Sequence, residues 1–381
     1  MICDKTKCTG CFACYNICPK NCISMKEDEM GYIYPVINEM ECINCEACKK
    51  VCPQLHDSKM KKPQKAYAMY NKNKEIREKS TSGGAATTFY MHVLENNGVV
   101  YGCSNIEKNE IHFLRIDNVD DLDKLKGSKY VHSYINDTFK LVKKDLLEDK
   151  LVLFIGTPCQ VDGLKNYLKK DYENLILIDI ICHGVPPQKL LKEEIKLHNM
   201  ENVTKISFRK NDIYEFELYK HDEIKCKENI NENKYLFGFL NSVFLRPNCY
   251  ECKYATSSRV SDITIGDYWG LGKESKLYNE REKGISVLLP ITEKGQKLIE
   301  ECRPKMILEE RQAEEAINGN SQLRKPTEKH KKYKIFQNKY LKKGYVKACN
   351  TFMWKNKLKK QLKNNKIIYR LYKKIKEKGN E

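Results

Sequence analysis

The chain has 381 residues, 18 of them cysteine, and a formal net charge of +18. It is long enough for two or three domains with cores of their own, and no run approaches the ~18 apolar residues that a membrane span needs. The charge is local: from Arg324 to Glu381 there are 21 Lys or Arg against three Glu, while residues 1–323 are neutral, which argues against a nucleic-acid-binding body. The opening "MICDKTKCTGC" carries no apolar leader core, so the expected location is the cytoplasm. Thiols stay reduced there, and so many cysteines read as metal ligands rather than as a disulfide framework.

In chain order the first feature is a repeat. Cys8, Cys11, Cys14 and Cys18 recur 34 residues later as Cys42, Cys45, Cys48 and Cys52, and both sets end in Cys-Pro. CxxCxxC wraps three corners of an iron-sulfur cubane from one loop, and in two-cluster ferredoxins the fourth Cys of each run ligates the other cluster. Cys8, Cys11, Cys14 and Cys52 are therefore expected to hold one [4Fe-4S] cluster, and Cys42, Cys45, Cys48 and Cys18 the second. Zinc needs only four ligands per site and gives no reason for two triple runs. Cys3 and Cys22 fall outside the pattern and read as packed or spare thiols. The polar connector "HDSKMKKPQK", with Pro63, ends this domain near residue 60.

Beyond it, "KAYAMYN" reads as a strand, 81–98 as a Gly-rich turn, a helix and a Gly stop, and "VVYGC" as another strand. A strand at 151–155, a helix near 161–169 and a strand at 174–181 have the rhythm of a parallel α/β unit. Strands are expected within 204–219 and at 260–266, and a helix at 293–302. After residue 323 the chain becomes helical, basic and aromatic.

Four features of this region carry chemistry. Cys159, in "GTPCQ", stands at a helix N-terminus, where free N–H groups and the helix dipole lower a thiol's pKa; it reads as a nucleophile or as a ligand. Cys182 directly follows the strand at 174–181. If the two strands are parallel neighbours ~4.8 Å apart, both thiols emerge at their carboxyl ends, where ligands of open α/β sheets collect. Cys249 and Cys252 form a CxxC, which is half a zinc site, a redox dithiol or, with the other two, the ligand set of a further cubane. Finally, "TSGG" (81–84) opens a helix and suits either a phosphate or an ordinary Ser cap with glycines for packing.

"STSGGAATTF", "GSKYVHS", "GTPCQVDGLK", "IDIICHGVPP", "FLRPNCYECKY" and "RVSDITIGDYWG" together resemble the coenzyme F-420 hydrogenase/dehydrogenase beta-subunit family, with a two-cluster ferredoxin domain attached. The resemblance spans roughly residues 65–310. It implies an iron-sulfur flavoprotein in which Cys159, Cys182, Cys249 and Cys252 surround a third [4Fe-4S] cluster and Ser82, Gly83 and Gly84 contact FAD. Lys129 and Asp267 are candidate FAD contacts as well, against the plain readings of a solvated lysine and a turn cap; Trp269 suits a core position or a flavin wall. His183 is read as a proton donor or as a satisfied structural histidine, and no catalytic residue is assigned.

The expected architecture is α+β and multi-domain: a ferredoxin domain (1–60), an α/β flavin and iron-sulfur domain in two parts (65–148 and 149–323), and a basic helical tail (324–381). The tail has apolar residues at Leu358, Leu362, Ile367, Ile368, Leu371, Tyr372 and Ile375. They suit amphipathic helices that pack on the body, dock an acidic partner or lie on the inner membrane surface. The expected function is an oxidoreductase passing electrons between clusters and FAD to act on an organic substrate such as a deazaflavin; the alternative is an electron-transfer subunit that serves a redox partner and has no substrate site of its own.

Overall fold

A computed structural model describes the backbone of residues 2–364 apart from 108–109, 201 and 211–212, and the side chains up to residue 353. In the N-terminal domain, helix α1 (Ala13–Ile17) lies within the first cysteine run, β1 (Ile23–Glu27) and β2 (Ile33–Ile37) form an antiparallel hairpin, and α2 (Ala47–Lys50) lies within the second run. The repeat is visible in the backbone. Phe12 and Glu46 occupy equivalent places before the two helices, and both adopt left-handed φ, 66° and 57°.

The next elements are β3 (Lys65–Asn71), α3 (Lys74–Glu78), α4 (Ala85–Glu95), β4 (Val99–Cys103), β5 (Phe113–Ile116), α5 (Thr138–Leu147), β6 (Val152–Gly156), α6 (Pro158–Leu168), β7 (Leu175–Ile180) and α7 (Gln188–Leu197). They are followed by β8 (Lys205–Ser207), β9 (Glu215–Lys220), β10 (Glu223–Asn229), α8 (Lys234–Leu240), β11 (Ile263–Asp267), β12 (Ser286–Pro290), α9 (Glu293–Cys302), β13 (Met306–Gln312), α10 (Ala313–Gly319) and α11 (Tyr333–Asn364). One eight-stranded sheet has the order β13-β3-β12-β11-β7-β6-β4-β5, and a small antiparallel sheet has the order β10-β9-β8.

The middle of the large sheet is parallel: β11 beside β7, β7 beside β6, and β6 beside β4. Its strands are largely apolar because both faces are covered, Asp179 of β7 and Thr264 of β11 being buried exceptions. On β6, Val152 and Phe154 pack with Val161 and Leu164 of α6 and with Phe12 and Ala13 of the ferredoxin domain. Leu153 and Ile155 point the other way, onto Phe89 and Val93 of α4 and Leu298 and Ile299 of α9. Alternation along an extended strand thus assigns successive residues to two cores.

The first part of the tail packs on the body. Phe336, Tyr340, Tyr345, Ala348, Cys349 and Met353 are buried, and Phe336 packs on Phe244 with ring centroids 5.2 Å apart and the rings tilted by 43°. Helix α11 is interrupted at Gly344, whose φ/ψ of 76°/177° is not helical. The side chains of Leu358 and Leu362, and residues Ile367, Ile368, Leu371, Tyr372 and Ile375, lie outside the described residues. Among those described, no helix is long and apolar enough to cross a membrane.

Candidate functional site

Both cysteine runs fold so that their fourth cysteines are exchanged. Cys8, Cys11 and Cys14 line one small cavity together with Cys52 from the second run. Cys18 of the first run lies near Cys48, and Cys22 contacts both Cys18 and, in the second run, Cys42. Cys3 and Cys22, which the spacing leaves over, are not remote: Cys22 Sγ lies 3.3 Å from Cys18 Sγ, and Cys3 lines the first cavity. Cys45 is exposed while Cys8, Cys11 and Cys52 are buried, so the second set faces the surface and the first faces inward.

The inward set meets the large domain at helix α6. A Cβ built on Gly163 would stand 3.0 Å from Cys11 Sγ, so glycine there lets α1 and α6 approach closely. Helix α6 begins with Pro158 and a Thr157/Gln160 capping box, which fixes the elbow carrying Cys159. The parallel register of β6 and β7 brings Cys159 and Cys182 to the same sheet edge. The short 3-10 turn Pro247–Glu251 supplies Cys249, and Cys252 follows it.

These four thiols are near enough to influence one another. Burial pushes the Cys159 thiol well above its ordinary value, Thr157 (3.2 Å away) opposes this, and Cys182, Cys252 and Cys11 add to it. Cys182 is pushed up to about 12, by burial first and then by Cys252; Cys249 is raised by burial, Cys182 and Cys252. The lowered pKa expected for Cys159 from its helix N-terminus is therefore not found, because burial among other thiols outweighs the dipole. Such a set suits a metal cradle, since a bound cation would supply the counter-charge that lets four buried thiols ionise.

Cys182 also lines a cavity of about 410 Å³ at the carboxyl edge of the parallel strands, a size usual for cofactor pockets. Ser82, Gly84, Lys129 and Asp267 line it too, together with Gln160, His183, Arg209 and Trp269. Gly84, at φ 88°, precedes α4 without a side-chain cap, which leaves helix N–H groups facing the cavity. Gly83 does not belong to the wall. A Cβ there would meet the Met69 carbonyl oxygen at 2.2 Å, so that glycine serves packing against β3.

Lys129 is not the solvated lysine of the plain reading. Its ammonium donates to the Leu125 and Lys126 carbonyls at 2.7 and 2.9 Å, and burial lowers its pKa to about 8. Asp267 does not cap a turn: it accepts from both terminal nitrogens of Arg209, at 2.5 and 3.1 Å. Arg209 is buried and lies 5.7 Å from the Trp269 ring. It stands in no recognisable motif, and only the folding of the small sheet against the cavity brings it there. Trp269 is 41% exposed, so it is wall rather than core. His183 contacts Ser242 at 3.1 Å and both Gln322 and Thr327 at 3.3 Å, and burial lowers its pKa.

Comparison with known proteins agrees with this arrangement. Residues 7–55 match the 4Fe-4S dicluster domain. Residues 66–140 match the N-terminal region, and residues 149–316 the C-terminal region, of the coenzyme F420 hydrogenase/dehydrogenase beta subunit. No curated protein matches. Among solved structures, a chain from a xenon derivative of the F420-reducing [NiFe] hydrogenase complex of Methanosarcina barkeri is 17% identical, with 77% of this chain and 92% of that one covered at a TM-score of 0.47. The cysteine runs, the sheet-edge thiols and the two matched regions together place this iron-sulfur protein in an electron-transferring oxidoreductase family: the chain belongs to the coenzyme F420 hydrogenase/dehydrogenase beta-subunit family and carries an N-terminal 4Fe-4S dicluster domain.

Proposed function

We propose that the protein is a three-cluster flavoprotein oxidoreductase: two [4Fe-4S] clusters in the ferredoxin domain, a third on Cys159, Cys182, Cys249 and Cys252, and FAD in the cavity beside it. The carrying observation is that Cys182 is both a member of the buried thiol set and part of the cavity wall. One-electron and two-electron carriers at such a junction supply the redox chemistry. The chain's own residues do the rest. The free N–H groups ahead of α4, with Ser82 and Lys129, suit a diphosphate; the Arg209–Asp267 pair and Trp269 also line the cavity and suit a planar ring. Cys11, packed on α6, brings the inner ferredoxin site against the third thiol set, so the protein matrix between them is thin.

The substrate of this reading is an organic two-electron acceptor or donor such as a deazaflavin. A second reading, a relay serving a protein partner, draws on the exposed ferredoxin face, where Cys45 lies near Met40 and Ile43, 94% and 56% exposed. Anaerobic purification followed by iron, sulfide and flavin analysis tests the proposal. Three clusters give about 12 Fe per chain together with FAD, and Cys159→Ala is expected to lose about four of them while the ferredoxin set survives. A preparation with about 8 Fe and no flavin defeats it. Reduction of a deazaflavin by the purified chain alone separates the enzyme from the relay.

A further inference from the structure

Away from the cavity, a second group of metal-binding side chains is assembled from two local spacings. Glu194 and His198 are four residues apart on and just after α7, and so share a helix face. Cys226 and Glu228 are two apart on β10, and so share a strand face. The fold brings these faces together: His198 Nδ1 lies 3.3 Å from Cys226 Sγ, and His198 Nε2 lies 3.6 Å from Glu228 and 3.8 Å from Glu194. Among the described residues, His198, Cys226 and Glu228 form the one trio of His, Cys, Asp or Glu whose ligand atoms all lie within 4.8 Å of one another.

Two independent observations point to a missing cation. Glu194 has 0% exposure, yet its Oε2 has no hydrogen-bond partner, and neither has the buried Nε2 of His198. Among the described residues, no Lys or Arg nitrogen lies within ion-pair distance of Glu194 or Glu228; His198 is the basic group beside both. A buried carboxylate left so is costly. The carboxylates are nevertheless held in place, because Asn233, the N-cap of α8, donates to Glu194 at 3.0 Å and to Glu228 at 2.9 Å.

We propose that His198, Cys226 and Glu228 bind a zinc ion, with Glu194 and Asn233 as the groups that orient the ligands. The donor set of one thiolate, one imidazole and one carboxylate suits a borderline-soft divalent ion, and one ligand atom from each of the three lies within 4.8 Å of the others, with His198 ligating through a single ring nitrogen. A carboxylate beside a ligating imidazole is the usual second partner of such a histidine. The ion would clip α7 to β10, the edge strand of the small sheet, and so secure the unit that contributes Arg209 to the cavity wall.

Metal analysis of the full chain, purified anaerobically with its iron, tests the site. About one zinc per chain is expected, lost in Cys226→Ser and in Glu228→Gln with the iron content unchanged, and retained in Cys249→Ser. Cobalt titration of chelator-treated wild type is expected to give a thiolate-to-metal charge-transfer absorption that Cys226→Ser lacks, a readout that does not depend on the variant's yield. Wild type that holds no zinc and develops no such absorption overturns the proposal, leaving a plain His198–carboxylate ion pair. Zinc that disappears with Cys249 rather than with Cys226 overturns it as well.

Discussion

Lys129 links burial to pH. Its folded pKa of about 8 lies below the ordinary ~10.4 of lysine, with burial as the cause. Burying the ammonium is therefore penalised below pH 8, and the penalty is relieved as pH rises through the window from about 8 to ~10.4, where the unfolded chain binds the extra proton. Anion binding runs the opposite way, because only the protonated side chain attracts a phosphate. On the proposed function, flavin retention followed by fluorescence falls as pH rises through about 8, and Lys129→Gln is weaker below that pH and lacks the inflection. Arg246 is the second residue that argues for a role. It is buried, donates from Nε to the Cys8 carbonyl and from Nη2 to the Ile33 carbonyl, both at 2.8 Å, and its Nη1 has no partner. A positive charge beside Cys8 favours the reduced state of a cluster there. Arg246→Met is expected to lower that potential by roughly 60 mV, the equivalent of ~1.4 kcal/mol for one electron, as read by anaerobic potentiometry with iron content as the control. "GSKY" made Lys129 visible in the sequence; Arg246 stands in "FLRPNCYECKY" beside the CxxC but its contacts with Cys8 and Ile33 are not legible there, and Arg209 belongs to no motif and gains its meaning from what it folds against.

At the scale of elements, the β6–α6–β7 unit was legible because its signals agree: two apolar runs, a Thr-Pro helix start and a helix-length spacing. Its parallel pairing places Cys159 and Cys182 at one edge. Strand β13 was not read, since a short run interrupted by charge, "MILEERQ", does not declare a period. Two glycines are critical here. Gly84 at φ 88° admits an L side chain only at a cost of ~1–2 kcal/mol; Gly84→Ala is expected to lose about that much in denaturant unfolding and to release flavin while iron stays. Gly163 separates α6 from Cys11 by less than a side chain. Gly163→Leu should force α1 outward, and stopped-flow reduction of the bound flavin through the ferredoxin domain is expected to slow several-fold with both cofactors present. Unchanged kinetics would mean that the α1–α6 contact is not the route.

In the whole molecule, the basic tail is in part a structural strap. Phe336 is fully buried against Phe244, Tyr340 and Phe352, and Phe336→Ala should cost ~3–5 kcal/mol, measured as a shift of the unfolding midpoint with iron content followed in parallel. A variant of wild-type stability would show that α11 only rests on the body. What the sequence determined by itself is the local part: the cysteine repeat, the elbow at Cys159, the family motifs and the confinement of charge to the tail, all carried by neighbouring residues or fixed spacings. The tertiary structure decided what depends on long separations. It turned Gly83 away from the cavity, raised the Cys159 thiol that its helix alone would lower, and joined Asp267 to Arg209. It also set His198 against Cys226 and Glu228. The physical reason is that burial and electrostatics depend on distance in space, which helix and strand periods encode only for residues a few positions apart.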